Sequence, residues 1–162
     1  MILYLLRHAH AEANESIPDE RRTLTDEGRA NAQALASLFQ RHPLNIHTLY
    51  TSPRLRAVQT AEIVAPALGV TPTVTDELDF NFSVGCLSDL LRDIPPYGDV
   101  MLVGHEPTFS ECVRALTGAS IQMKKCGLVR IDLLTARPPY RGDLVWLVPP
   151  KVVRGLIEED ED

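Results

Sequence analysis

Two adjacent residues near the start of the chain, Arg7 and His8, have types that could carry out phosphoryl transfer. A neutral imidazole is a competent nucleophile towards phosphorus, and an arginine binds phosphate oxygens through paired N–H groups. Arg56 and His105 add a second arginine and a second histidine. These four side chains could bind a phosphoryl group, accept it on a histidine and stabilise its charge during transfer. The flanking arginines are expected to lower the pKa of His8 and keep its imidazole neutral near pH 7.

Three predicted strands explain how residues so distant in sequence could meet. Continuous apolar runs at 2–6 and 100–103 are typical of strands buried on both faces, and 48–51 also reads as a strand. The first ends at Arg7 and His8, and the third ends at His105. Ligands of open α/β sheets bind beyond the carboxyl ends of the strands. The sequence therefore predicts an anion site at one edge of the sheet.

Predicted helices connect these strands. Thr25 is a suitable N-cap for a helix that should end near His42, and the Ser-Pro pair at Ser52 predicts the start of a second helix. Gly69 stands where the second helix should end, and Pro107 predicts the start of a third.

The alternation of strands and helices predicts a three-layer α/β fold. Its central sheet should be mostly parallel, with helices on both faces and an antiparallel C-terminal hairpin formed by 129–133 and 144–148. We expect a single domain over residues 1–150. The acidic tail, 151–162, is expected to be disordered.

Composition narrows the classes of protein. The chain has 162 residues and a net charge of −6, which argues against nucleic acid as a partner. The apolar segment at the start is too short for a signal peptide or a membrane span, and no later stretch is long enough for one. The three cysteines are widely spaced, so neither a disulfide framework nor a zinc site is indicated. A cytoplasmic protein is expected, and nothing in the sequence reports its oligomeric state.

Four segments resemble the histidine phosphatase superfamily, which includes cofactor-dependent phosphoglycerate mutases and acid phosphatases. Residues 6–12 (LRHAHAE) are similar to its RHG/RHA signature, and 24–28 (LTDEG) to the opening of its first helix. Residues 51–61 (TSPRLRAVQTA) and the pair Gly104-His105 resemble its second and third blocks. The segments follow the family's order across residues 1–147. The short chain looks most like the SixA-like branch of phosphohistidine phosphatases.

The resemblance implies roles for individual residues. His8 would accept the phosphoryl group, Arg7 and Arg56 would bind it, and His105 would be the second histidine of the site. Arg22 would line the substrate entrance.

Two neighbouring positions are less well defined by the resemblance. Asp79 is the candidate for the acid that protonates the leaving group, although no carboxylate fits the family position cleanly. Arg54 lies two residues before Arg56 and is expected at the surface.

These observations predict a metal-independent phosphatase that needs no cofactor. It would form a phosphohistidine intermediate on His8. Its substrate would be a phosphohistidine of a protein or a small phosphoester. A phosphomutase with the same nucleophile and a non-catalytic phosphate-binding module remain as alternatives. A metal pair of His8 and His10 is disfavoured, because alternate residues leaving a strand point apart. Cys86 and Arg92 match the C-x5-R spacing of cysteine phosphatases, but the residues between them lack the glycines of a phosphate loop.

Overall fold

Six strands form one mixed sheet: β1 (Ile2–Arg7), β2 (Ile46–Thr51), β3 (Thr73–Val74), β4 (Asp99–Gly104), β5 (Leu128–Leu133) and β6 (Gly142–Val148). Their order across the sheet is β3-β2-β4-β1-β5-β6. The first four are parallel, and β5 and β6 are antiparallel to their neighbours. This computed structural model describes residues 1–159. The predicted α/β fold with an antiparallel C-terminal hairpin is confirmed, while the short edge strand β3 was not predicted.

Five helices cover the two faces of the sheet: α1 (Asp26–Arg41), α2 (Leu55–Leu68), α3 (Leu87–Leu90), α4 (Thr108–Thr117) and α5 (Pro150–Glu159). Residues of α1, α2 and α5 share one core with Leu6 of β1. Residues of α3 and α4 share a second core with Leu5. Leu5 and Leu6 are both 0% exposed, because successive strand residues point to opposite faces and both faces are covered.

The start of α1 is held closely against the chain that leaves β1. As predicted, Thr25 is the N-cap, and its side chain accepts a hydrogen bond from the Gly28 N–H. Such a cap contributes about 1 kcal/mol to stability. A Cβ on Gly28 would lie 2.1 Å from the carbonyl oxygen of His10, so only glycine allows this close approach.

The start of α2 differs from the prediction. The helix begins at Leu55, with Arg54 as its N-cap, and not at the Ser52-Pro53 pair. The Ser52 hydroxyl lies 2.7 Å from Nε2 of His105, so this side chain interacts with the other strand end instead of capping the helix. The predicted helix end is confirmed, since Gly69 is the C-cap with a left-handed φ of 68°.

The prediction of a disordered tail is wrong for residues 151–159, which belong to α5. Val153 is 1% exposed and packs into the core beside α1, and Ile157 lies one helical turn further along the same face. The acidic composition of this segment predicts a solvated tail and does not reveal the apolar stripe of the helix. Residues 160–162 of the predicted tail lie outside the described residues. No helix within 1–159 has the length and apolar character needed to cross a membrane.

Candidate active site

The carboxyl ends of β2, β4 and β1 lie side by side in the sheet and form the floor of a cavity. The His8 N–H donates to the Gly104 carbonyl at 3.0 Å, and the Ser52 N–H donates to that of Val103 at the same distance. The cavity has a volume of about 270 Å³. It is lined by Arg7, His8, Ala11, Asp19, Arg22, Arg56, Phe80, His105, Glu106 and Lys125. Five of the six predicted site residues therefore meet here, and Asp79 is not among the lining residues.

The imidazole of His8 has a defined tautomer. Its Nδ1 lies 2.7 Å from the carbonyl oxygen of Ala9. A carbonyl oxygen can only accept a hydrogen bond, so Nδ1 carries the proton and the neutral ring keeps its lone pair on Nε2. The Nε–H of Arg56 donates to that Nε2 at 3.3 Å. His8 thus presents an unprotonated nitrogen beside a guanidinium group.

Burial is the main reason why His8 stays neutral. The residue is 7% exposed, and its pKa is lowered from 6.5 to about 3, mainly by burial. The nearby charges of His105, Arg56 and Arg7 contribute to this lowering, while the hydrogen bond to Ala9 opposes it. Desolvation, and not the charge of the flanking arginines as expected from the sequence, is therefore the larger cause of the lowered pKa of His8.

His105 occupies the wall of the cavity next to His8, and the centroids of the two rings are 5.1 Å apart. It is 1% exposed, and burial followed by the charge of Arg56 lowers its pKa to about 4. Its Nδ1 is buried and has no hydrogen-bond partner among the described residues. Gly104 is required just before it, because a Cβ there would lie 2.7 Å from the ring of Phe109.

The two predicted phosphate ligands are fixed by contacts with the backbone. One terminal nitrogen of Arg7 donates to the carbonyl of Met123 at 2.8 Å, and its buried Nε has no partner within residues 1–159. Arg56 is 4% exposed, and its NH1 donates to the carbonyl of Asp19 at 2.8 Å. Such anchoring orients both guanidinium groups before a ligand arrives.

Asp19, in the short 3₁₀ helix Asp19–Arg21, is a site residue that the sequence analysis missed. Its carboxylate accepts from Arg56 at 3.1 Å and from Arg54 at 2.5 Å, and it also pairs with Arg22. Burial raises its pKa, but the charges and hydrogen bonds of Arg56 and Arg22 outweigh burial, and the net pKa is lowered. Asp19 is therefore a carboxylate at neutral pH and holds the arginines together. The only sequence signal was an acidic residue three positions before Arg22.

Arg54 and Asp79 form an ion pair behind the cavity. The Nε of Arg54 donates to Oδ1 of Asp79 at 2.6 Å, and the guanidinium lies 3.7 Å from the ring centroid of Phe80. The Arg54 side chain is only 16% exposed, so the expected surface role is wrong. Burial raises the pKa of Asp79, but the hydrogen bond from Arg54 prevails and the net pKa is lowered. An ionised Asp79 outside the cavity is poorly suited to protonating a leaving group.

The other sequence motifs do not join this site. Arg92 of the C-x5-R match is exposed and pairs with Asp89 of α3. Nδ1 of His10 lies 2.8 Å from the hydroxyl of Thr25. Within residues 1–159, no group of three or more His, Cys, Asp or Glu side chains is placed to hold a metal ion.

The lowered histidine pKa values predict a pH dependence of stability. Between about pH 6.5 and 4, His8 and His105 are protonated in the unfolded chain but stay neutral in the folded protein. The unfolded state then binds more protons, so the free energy of unfolding should fall by a few kcal/mol as the pH drops from 7 to 4.5. Urea unfolding at a series of pH values measures this slope. His8→Asn should flatten it and His47→Asn, at an exposed position, should not; equal slopes for both variants would contradict the assignment.

Known proteins resemble this chain in sequence. A model of the histidine phosphatase superfamily (branch 1) matches residues 3–93. An uncharacterized protein of Picosynechococcus sp. is 34% identical over 161 residues, which cover 93% of this chain and 98% of that relative.

Solved structures share the fold. The protein histidine phosphatase SixA complexed with tungstate superposes with a TM-score of 0.82 at 23% identity, covering 94% of this chain and 99% of that one. A provisionally named phosphohistidine phosphatase SixA from Agrobacterium tumefaciens gives 0.74 at 26% identity, with 92% and 97% covered. A mycobacterial glucosyl-3-phosphoglycerate phosphatase gives 0.72 at 17% identity, with 90% and 98% covered, which is a likeness of fold alone.

Proposed function

Since this chain belongs to the histidine phosphatase superfamily, branch 1, it is a phosphatase, and we propose that it works without a metal through a phosphohistidine on His8. The observation that carries this proposal is the orientation of His8. Its Nδ1–H is held by the Ala9 carbonyl, which leaves the Nε2 lone pair beside Arg56 in the cavity. A neutral, oriented imidazole next to an anion-binding group is what nucleophilic attack on a phosphoryl group requires.

The first step is transfer of the phosphoryl group to the enzyme. Arg7 and Arg56 bind its oxygens, and His105 donates from the wall of the cavity. Nε2 of His8 forms a bond to phosphorus while the bond to the leaving group breaks, and the leaving group departs towards the open mouth of the cavity, where it takes up a proton. The cationic side chains stabilise charge on the equatorial oxygens, which is the main requirement of phosphoryl transfer.

The second step is hydrolysis. Water attacks phosphorus, the P–N bond breaks, and Nε2 regains its lone pair as inorganic phosphate leaves. Phe80, at the mouth, is 47% exposed, so solvent can reach this position. A phosphomutase would have to exclude water here, and the open mouth disfavours that alternative. A purely phosphate-binding module is disfavoured because the nucleophile is present and oriented.

The preferred substrate in this proposal is phosphohistidine, whose imidazole is a good leaving group. Two observations support it: Asp79 is paired with Arg54, and Asp19 is paired with arginines, so neither carboxylate is free to supply a proton. The resemblance in fold to a protein histidine phosphatase agrees with this choice. A small phosphoester is the second candidate, favoured by the modest cavity of about 270 Å³. We propose the cytoplasm as the place of action, in keeping with three free cysteines.

Phosphate release from N-phosphohistidine, an aryl phosphate and an alkyl phosphate in the presence of EDTA tests this function. Without a general acid, the alkyl ester should react about 10²- to 10⁴-fold more slowly than the other two, because a positioned acid contributes about that factor. EDTA should not change any of the three rates. Equal rates for the alkyl and aryl esters would mean that an acid is present, and Glu106, the other carboxylate of the cavity, would then be the residue to replace.

A further inference from the structure

Lys125 differs from every other charged residue that lines the cavity. Within residues 1–159 the others all have a hydrogen-bond or ionic partner: Arg7, Asp19, Arg22, Arg56 and Glu106. Lys125 is exposed and has neither kind of partner in the part of the chain that the structure describes. We propose that Lys125 binds a second anionic group of the substrate, adjoining the phosphoryl group that Arg7 and Arg56 hold. This inference rests on the proposed function, because it takes the phosphoryl position beside His8 as its reference.

A tight turn attaches Lys125 to the strand end that carries the nucleophile. The Gly127 N–H donates to the Lys124 carbonyl at 2.8 Å and closes the turn around Lys125. The N–H of Cys126 donates to the carbonyls of both Arg7 and His8, at 3.1 and 3.0 Å. The Arg7 N–H donates in return to the carbonyl of Gly127 at 3.0 Å. The backbone position of Lys125 relative to His8 is therefore fixed.

The turn keeps an unfavourable backbone conformation at its third position. Cys126 has a φ of 62°, in the left-handed region that residues other than glycine rarely adopt. Its side chain is 1% exposed, and Met123 on the other side of the turn is 0% exposed. These two buried side chains anchor the turn and leave the side chain of Lys125 exposed at the cavity. Strain of this kind persists where the surrounding structure holds it, often at functional sites.

The chemistry of the cavity indicates what Lys125 would recognise. The phosphoryl group already has forked donors in Arg7 and Arg56, and the carboxylate of Asp19 offsets the charge of Arg22. Both oxygens of Glu106 accept hydrogen bonds from Ser110, at the start of α4. A flexible ammonium group is a point charge that suits a carboxylate or a second phosphate equally. The shared chemistry is thus an anion close to the phosphoryl group, in the same cavity.

Three matched compounds test whether this anion is a carboxylate or a second phosphate, because they differ in the group at the end away from the scissile phosphate. They are 3-hydroxypropyl phosphate, 3-phosphooxypropanoate and propane-1,3-diol bisphosphate. Their dissociation constants are measured by calorimetry with His8→Ala, which cannot turn them over. The two compounds with a charged end should bind about three- to tenfold more tightly than the hydroxyl compound, and less so at high salt. In the His8→Ala protein, a second substitution Lys125→Gln should remove this preference. Lys125→Arg in its place should keep the preference. Lys124→Gln, at the adjacent exposed lysine outside the cavity lining, is the matched control and should leave the preference unchanged.

Equal dissociation constants for the three compounds, or no binding of the two charged ones, would overturn the inference. An equal loss of affinity for all three in Lys125→Gln would also overturn it, because Lys125 would then act on the phosphoryl group itself. Turnover by the wild type is a separate result. If no phosphate is released although the preference for a charged end is present, the proposed function fails and the second anion site stands.

Discussion

Replacing His8 with alanine should lower phosphate release by about 10³-fold or more and abolish the phosphoenzyme, because the mutant lacks the atom that attacks phosphorus. Rapid acid-free quenching of the wild type during turnover, followed by phosphorus NMR, should show a phosphohistidine signal. The mutant should show none. Substrate affinity should change much less, since Arg7, Arg56 and His105 stay in place.

The control for this experiment is His10→Ala. His10 lies two residues away and bonds to Thr25 outside the cavity, so turnover should stay within a few-fold of wild type. A circular dichroism melt of both variants separates loss of chemistry from loss of fold. A phosphohistidine signal that persists in His8→Ala would assign the nucleophile to another histidine, and His105, whose ring lies 5.1 Å from that of His8, would be the first to replace.

Arg56→Lys should lower kcat/KM by about 10²- to 10³-fold, the usual loss when one charge-stabilising donor is removed from a preorganised site. Lysine keeps the positive charge but cannot reproduce the planar set of donors. In the wild type, those donors contact His8 through Nε and Asp19 through NH1 and NH2. Steady-state kinetics with an aryl phosphate measures the effect, and the loss should appear in kcat as well as in KM.

Arg54→Lys is a matched control for that substitution. Arg54 lies one helical position before α2 and shares Asp19 as a partner, but it does not line the cavity. Breaking its contacts with Asp19 and Asp79 should lower thermal stability while kcat changes by less than about tenfold. If Arg54→Lys impaired turnover as severely as Arg56→Lys, the effect would come from disordering Asp19 and not from loss of a phosphate ligand.

The strand-end residues could be predicted from sequence for a physical reason. Buried parallel strands read as uninterrupted apolar runs, so Arg7, His8 and His105 stand out where those runs stop. The parallel register of β1 and β4, with Arg7 opposite Gly104, brings these ends together. Local hydrogen bonding likewise made the Thr25 cap predictable.

The remaining site residues depend on contacts that no local pattern encodes. Asp19 meets Arg54 across 35 positions of sequence, from a 3₁₀ helix too short to show a periodic pattern. In the turn before β5, the preference of glycine for a positive φ predicts the left-handed conformation at Gly127. Cys126 adopts it instead. The conformation of Cys126 is explained by tertiary contacts, because its N–H donates to the carbonyls of Arg7, the last residue of β1, and of His8.

The central place of β1 has a consequence for hydrogen exchange. β1 lies between β4 and β5, which both hydrogen-bond to its backbone, and the His8 N–H directly after it donates to the carbonyl of Gly104 at the end of β4. Amides of this kind exchange only when the whole domain opens, whereas those near Asp19 and Lys125, on the loops around the cavity, can exchange through local fluctuations. The nucleophile should therefore lie in the slowest-exchanging part of the molecule, and a bound phosphate analogue should slow exchange first in the surrounding loops.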